Sequence, residues 1–310
     1  MQTRALPGTG LTVSRVCLGT MTFGSAVDAA TAARMVDLCL DRGVTFFDTA
    51  NVYNWGASET ILGELLKARR SSVVLASKVG RKMGDAPDDA GLSGKAIRKA
   101  VEASLRRLQT DHLDIYYLHL PDRQVPADET LSAIEALVKE GKVRYPATSN
   151  HAAWQICRML WLCDQRGLTP PLISQPSYNL LARAIEDEHA PFCEELGVSQ
   201  IVYNPLAGGL LTDRREEQRT SKRFWRPELL AAADRLADVA RRSGRSLVAL
   251  ALNWLLHHSA ADGVILGAVN VEQLEQNLNA VDEGPLAPEV VAECDAVWQD
   301  LRGGVLKYNQ

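Results

Sequence analysis

Eight short apolar runs, rich in strand-forming residues, punctuate the chain: RVCLGT, VTFFDTA, SVVLASK, LDIYYLH, VRYPATSN, PLISQPSYN, SQIVYNPL and DGVILGA. Between them lie stretches whose apolar positions recur at three and four, among them DAATAARMVDLCLDRG, SGKAIRKAVEASLRRLQ, DETLSAIEALVKEG and SLVALALNWLLHHS. That spacing gathers apolar side chains on one face of a helix. Ser93 and Asp128 read as N-caps, and Gly43 and Gly141 as helix terminators.

Successive strands begin roughly 30 residues apart, the length of one βα unit. Strands that are apolar without interruption are buried on both faces, as in a parallel sheet. Eight such units predict an α/β fold, a closed (β/α)8 TIM barrel. No linker or low-complexity stretch interrupts residues 1–310, which read as a single domain. A doubly wound open sheet is the alternative, but the turn after its first strand normally carries GxGxxG, and here it reads CLGTMTFG. The GTG at Gly8–Gly10 precedes the first barrel strand and reads as an N-terminal β-hairpin turn. The seventh and eighth barrel strands are separated by about twice the usual interval. A polar loop, TDRREEQRTSKRFWRPE, and two helices fill it, so extra helices are expected towards the C-terminus.

Composition narrows the function classes. The chain is 46% hydrophobic and 23% charged with a net charge of −4 and no basic face, which argues against nucleic acid or an anionic membrane as partner. The N-terminal MQTRALPGTG lacks the apolar run of a signal peptide, and no stretch is long enough to span a bilayer, so a cytoplasmic protein is expected. A homo-oligomer is compatible with all of this. Cys17, Cys39, Cys157, Cys163, Cys193 and Cys294 form no CxxC pair and read as reduced, mostly buried thiols. The histidines show no metal-ligand spacing, and His257-His258, ending a helical pattern, suit surface or capping roles.

In a barrel of this type the chemistry sits at the C-terminal ends of the strands. Those ends are Gly19-Thr20-Met21, Asp48, Lys78, His119, Ser149-Asn150, Gln175, Tyr203 and Gly267-Ala268, with Tyr53 in the loop after Asp48. Taken singly, each has an ordinary structural explanation. Together, Asp48, Tyr53, Lys78 and His119 make an organised acid. A phenol donates protons poorly at neutral pH because its pKa is about 10. An ammonium at Lys78 would make it more acidic, Asp48 would hold Lys78, and His119 would orient a carbonyl oxygen. The set holds no good nucleophile, so the partner reagent is expected to be a hydride from a bound cofactor. A Schiff-base aldolase or isomerase built on Lys78 would need a neutral amine, against which Asp48 counts.

The chain resembles the aldo-keto reductases, NAD(P)H-dependent (β/α)8 enzymes, in FFDTANVY, LASKVG, LDIYYLHLPD, GKVRYPATSNHAAWQI, YNPLAGGLLT and VILGAVNVEQLEQNLNA. The last two, with NAVDEGPLAPEVV, look most like the aflatoxin-aldehyde and succinic-semialdehyde reductase branch. The resemblance implies a catalytic tetrad of Asp48, Tyr53, Lys78 and His119, with Tyr53 as general acid and hydride leaving the nicotinamide C4. It implies that Ser149, Asn150 and Gln175 hold the carboxamide and that Tyr203 stacks on the nicotinamide. Asn204, Leu206, Gly208 and Leu210 would follow the pyrophosphate. Gly267 would open the adenosine-phosphate site, where a helix N-terminus favours anions. Val269, Gln273, Gln276 and Asn277 would attend the adenosine end, and Gly19, Thr20 and Met21 complete the cofactor set. Some members of the superfamily are cytoplasmic channel subunits that bind NADPH and turn over slowly. A regulatory role of that kind is the alternative, against which the complete tetrad argues.

Three departures from the family pattern matter. Many members carry a basic or hydroxyl residue after the strand-eight glycine, where it meets the 2′-phosphate of NADPH; this chain has Val269 and Asn270. Lys222 and Arg223 could supply the charge, which favours NADPH while leaving NADH open. The loop after strand seven is short, without the aromatic and arginine-rich stretch expected between Trp225 and Leu229, which counts against succinic semialdehyde. Pro146 and Ala147 replace a bulky residue and a glycine, and proline cannot donate to a ladder, so an irregular fifth strand is expected. The candidate pocket walls, Met21, Phe23, Trp55, Phe224 and Trp225, suit a neutral aldehyde or ketone.

Overall fold

The computed structural model describes residues 1–213, 215 and 222–302. Strands β1 (Thr3–Leu6) and β2 (Leu11–Ser14) pair antiparallel, with Leu6 opposite Leu11. Their turn passes through Gly8 and Gly10, both at positive φ (70° and 66°), as the GTG signal predicts.

The eight apolar runs form eight parallel strands: β3 (Val16–Gly19), β4 (Phe46–Asp48), β5 (Val74–Val79), β6 (Leu113–Leu118), β7 (Val143–Ser149), β8 (Ile173–Gln175), β9 (Ser199–Val202) and β10 (Gly263–Leu266). They close in chain order, β10 pairing with β3, into the expected (β/α)8 barrel. Alternation along each strand explains the unbroken apolar runs. Cys17, Phe46, Ala76, Ile115, Tyr117, Ala147, Ile173, Ile201 and Ile265 fill the barrel interior. Leu6, Leu11 and Val13 of the hairpin pack against that same cluster. Their neighbours along the strands, such as Leu18, Phe47, Leu75, Tyr116 and Leu118, join the larger core beneath the helices.

The helices are α1 (Ala29–Asp41), α2 (Ala57–Leu66), α3 (Gly94–Leu108), α4 (Ala127–Lys139), α5 (Ala153–Arg166), α6 (His189–Glu195), α7 (Pro227–Arg242), α8 (Leu247–His258), α9 (Val271–Val281) and α10 (Pro288–Leu301). Both α7 and α8 lie between β9 and β10; α9 packs on α8 and α1, and α10 packs on α7. These are the extra helices that the long seventh interval anticipates. Ser93 caps α3 by accepting from the Ala96 N–H at 3.2 Å. Asp128 is not a cap: α4 starts at Ala127, behind Pro126, leaving Asp128 in the first turn, where its carboxylate faces the positive end of the helix dipole.

The irregularity expected at Pro146 does not occur. Strand β7 runs unbroken, with Pro146 opposite Tyr116 and Ala147 opposite Tyr117 of β6. The bonds to either side hold the register, so one missing donor does not shift it. All six cysteines are free, and five are buried. His258 accepts from the Leu286 N–H at 2.9 Å, a structural role. Among the described residues, no helix is long and apolar enough to cross a membrane.

Candidate active site

Asp48 is the last residue of β4 and Lys78 the last but one of β5, so both emerge at the C-terminal mouth of the barrel. Lys78 is fully buried and Asp48 nearly so, and they form an ion pair. The Lys78 ammonium also donates to the Thr49 carbonyl at 2.8 Å. From across the barrel, at the end of β8, Gln175 donates its side-chain N–H to the other Asp48 oxygen at 2.9 Å. Behind this pair, the hydroxyls of Thr20, Thr49 and Ser58 hydrogen-bond one another and the Asp48 and Thr20 carbonyls, fixing the end of β4.

Tyr53 stands on a single 3-10 turn, Tyr53–Gly56, after that strand. Asn54 and Trp55 adopt left-handed backbone there, with φ of 50° and 55°. Asn54 tolerates this and donates to the carbonyls of Met21 (2.9 Å) and Phe23 (2.7 Å), pinning the turn to the β3–α1 segment. The turn sets the Tyr53 ring 4.9 Å from the Lys78 ammonium and 6.0 Å from the His119 ring, edge-on at 83°.

The electrostatics follow from burial. Loss of water raises the Tyr53 phenol above its ordinary value, and the Lys78 ammonium opposes that rise without cancelling it. Lys78 therefore does not make Tyr53 more acidic than a free phenol, as sequence alone suggested; it limits the effect of burial. For Lys78 itself, burial would lower the pKa, but Asp48 and Tyr53 outweigh it and the pKa is raised, so the amine stays an ammonium. Burial also raises the Asp48 carboxyl, against the opposing pull of Lys78 and Gln175. His119 is driven down to about 2, by burial first and then by the charges of Lys78 and Arg81, and is a neutral imidazole. Its Nδ1 is buried without a hydrogen-bond partner.

One cavity of about 590 Å³ gathers most of the strand-end residues. Gly19, Met21, Asp48, Tyr53 and His119 line it, together with Ser149, Asn150, Gln175 and Tyr203. Here Asn150, at φ 61°, donates to the His119 carbonyl (2.9 Å) and accepts from the Tyr203 hydroxyl (2.7 Å). Ser149 donates to the Gln175 carbonyl at 3.0 Å, so four strand ends are tied together. Asn204, Leu206, Gly208, Arg223 and Gly267 line the same cavity, and Val269 and Gln273 bring it to the start of α9. A Cβ on Gly19 would meet Ile265 Cγ2 at 2.6 Å, whereas a Cβ on Gly267 would meet only open space. Helix α9 is capped by Asn270, which accepts from the Gln273 N–H at 2.8 Å, while Gln273 accepts from Val269 at 2.8 Å.

Other expected contacts lie elsewhere. Thr20 and Leu210 are fully buried outside the lining, and Gln276 is exposed. Asn277 is buried one helical turn after Gln273, with its side-chain N–H₂ lacking a partner. Of the aromatic pocket walls, Phe224 belongs to the core and Trp55 is 72% exposed; neither they nor Phe23 and Trp225 line the cavity. The Lys222 side chain falls outside the described residues. Sequence reading missed Arg81, Thr22, Val52, Pro205 and Thr212, all lining. Arg81 was within reach of it, three residues beyond Lys78, but strand ends alone do not show where a loop folds back.

The profile of the Aldo/keto reductase family matches residues 15–299. The chain belongs to the aldo/keto reductase family. It is therefore an oxidoreductase acting on carbonyl groups. It is 38% identical over 298 residues to the uncharacterized oxidoreductase YrpG of Bacillus subtilis (strain 168), covering 91% of each chain. It is 37% identical over 311 residues to the human aflatoxin B1 aldehyde reductase member 2, covering 91% of this chain and 85% of that one. A probable voltage-gated potassium channel subunit beta of Arabidopsis thaliana is 33% identical over 312 residues, covering 94% and 95%. Both sides of the sequence resemblance, the aldehyde-reductase branch and the channel-associated branch, are thus represented among its relatives.

Proposed function

We propose that this aldo/keto reductase reduces an aldehyde or ketone to the alcohol with NADPH, NADH being the weaker alternative, and that Tyr53 supplies the proton. The observation that carries this reading is the fully buried Lys78 ammonium, paired with Asp48 and 4.9 Å from the ring of a tyrosine that opens onto the large cavity. The phenol, ordinarily titrating near 10 and raised further by burial, is protonated at neutral pH, so the proton is present when needed. As it leaves, the phenolate gains a neighbouring ammonium, so Lys78 stabilises the state in which charge develops. Neutral His119 offers a ring nitrogen to the carbonyl oxygen without competing as a charged acid. An amine held as an ammonium cannot form a Schiff base, which disfavours the aldolase alternative.

A nicotinamide held in the cavity would supply the hydride; Tyr53 is the group that would protonate the carbonyl oxygen, to be reprotonated from water. The donor set fits such a molecule. Ser149, Asn150 and Gln175 offer amide and hydroxyl groups suited to a carboxamide, and Tyr203 offers a ring face beside them. Arg223 adds positive charge to the lining, and the α9 N-terminus, reached by Val269 and Gln273, favours phosphate. With Val269 in the usual basic position, Arg223 is the group we assign to the 2′-phosphate.

The test is Tyr53→Phe. Reduction of benzaldehyde, followed by NADPH absorbance, should fall by at least ~100-fold, the usual worth of a positioned acid. Quenching of tryptophan fluorescence by NADPH should be nearly unchanged. Wild-type turnover in this variant removes Tyr53 as the acid. A second reading, a slow NADPH-binding regulatory subunit, draws on the identity to a probable channel subunit. Tight NADPH binding with negligible wild-type reduction of any carbonyl would select it instead.

A further inference from the structure

The charged groups of the main cavity are unevenly placed. Among the described residues, Asp48 is the single acidic residue of the lining, and its charge is already matched by buried Lys78. Arg223 lines this cavity and is assigned above to the 2′-phosphate. Arg81 lines the same cavity at the catalytic end, on the loop that leaves β5 immediately after Val79. It is exposed, and among the described residues it makes no hydrogen bond or ion pair.

Neighbouring charges do not neutralise it. Lys82 pairs with Asp85 at 2.7 Å, and Lys99 with Asp89 at 2.6 Å. Arg81 also borders a smaller cavity of about 160 Å³ holding Asp88 and Asp89, yet pairs with neither. It is near enough to His119 for its positive charge to help keep that imidazole neutral. An unpaired guanidinium in the lining near His119 is a planar fork suited to an oxyanion, and among the described residues no unmatched acid of the lining competes for it. The aromatic walls expected to make the pocket neutral lie outside the lining, whereas the Arg81 charge lies within it.

We propose that Arg81 is a specificity-determining residue that selects carbonyl substrates bearing an anionic group, a carboxylate in the first instance. This rests on the carbonyl-reductase reading, and replaces the neutral substrate expected from the sequence. Recognition comes from the β5 side, not from the loop after β9.

The test compares 4-carboxybenzaldehyde with its neutral methyl ester, methyl 4-formylbenzoate, which has similar electronic demand at the aldehyde. With NADPH, the wild type should favour the acid in kcat/KM by roughly 10- to 100-fold, the range for a hydrogen-bonded charged group. In Arg81→Met that ratio should collapse towards one. Arg81→Lys, which keeps the charge but not the fork, should retain part of it. The preference should also shrink with added salt. Adding 4-formylphenyl phosphate separates the anion classes: a stronger preference for it than for the carboxylate would overturn the carboxylate assignment. An equal acid-to-ester ratio in wild type and Arg81→Met, with the ester reduced, overturns the Arg81 proposal alone. No reduction of any of these aldehydes overturns it together with the reductase reading.

Discussion

Replacing Lys78 by Met removes one half of a buried ion pair while nearly keeping side-chain volume. The Asp48 carboxylate is then left 2% exposed with only the Gln175 N–H as a side-chain donor. Breaking such a pair costs about 3–5 kcal/mol of stability. The protein has one escape, which is to protonate Asp48. From the ordinary carboxyl value of 3.8, holding that proton at pH 7 costs up to about 4 kcal/mol at 1.36 kcal/mol per unit, an upper bound because burial already raises Asp48 in the wild type. The two figures agree, so the loss at pH 7 should be about 4 kcal/mol. The sign of its pH dependence follows. In the variant, Asp48 is raised in the folded state above its unfolded value, so the folded state binds the extra proton. Stability relative to wild type therefore falls as pH rises through that window, by about 1.4 kcal/mol per pH unit. Urea unfolding followed by tryptophan fluorescence should show a loss of about 4 kcal/mol at pH 7 and about 2 kcal/mol at pH 5. Asp48→Asn combined with Lys78→Met removes both charges and should recover stability to within ~1 kcal/mol of wild type while staying inactive. An equal loss at both pH values, or a loss below ~1 kcal/mol, would refute the argument that Asp48 depends on Lys78.

The other expectations concern the histidine, the cofactor and the helix packing. Because His119 titrates at about 2, the rate of carbonyl reduction should show no inflection near pH 6.5; a step there that vanishes in His119→Asn would contradict its neutral role. Arg223→Ala should weaken NADPH by roughly 10- to 100-fold in fluorescence titration, with a much smaller effect on NADH. Equal losses for both cofactors would show that Arg223 does not read the 2′-phosphate. Gly63→Ala places a Cβ 2.5 Å from the Arg107 carbonyl and 2.6 Å from the Leu108 backbone, so α2 and α3 must separate. A loss of about 1–3 kcal/mol in urea unfolding is expected, and an unchanged midpoint would mean that this contact is softer than it looks.

The family could be recognised and the strand ends placed from the sequence because period and order are local properties. The unbroken apolar runs mark strands covered on both faces, and strand-end position alone puts Asp48, Lys78, His119, Ser149 and Gln175 at one mouth. Their partnerships are another matter. Gln175 reaches Asp48 because β8 and β4 lie opposite each other in a closed barrel, a relation between residues 127 apart in the chain. The buried Glu59, which accepts from Ser77 at 2.5 Å and Arg107 at 2.7 Å, likewise joins α2, β5 and α3 next to Lys78, and in the sequence is an ordinary surface-like helix acid. Loop chemistry was the least legible. The left-handed turn at Asn54-Trp55 leaves Trp55 largely exposed, the core absorbs Phe224, and Arg81 is returned to the cavity. Even the balance at Tyr53 depends on burial, since composition supplies the ammonium but only the fold decides how much water the phenol loses. The sequence determined which groups arrive at the mouth; the tertiary structure decided which are desolvated, which are paired and which face the substrate. Desolvation and pairing depend on everything within a few ångströms, whatever its distance along the chain.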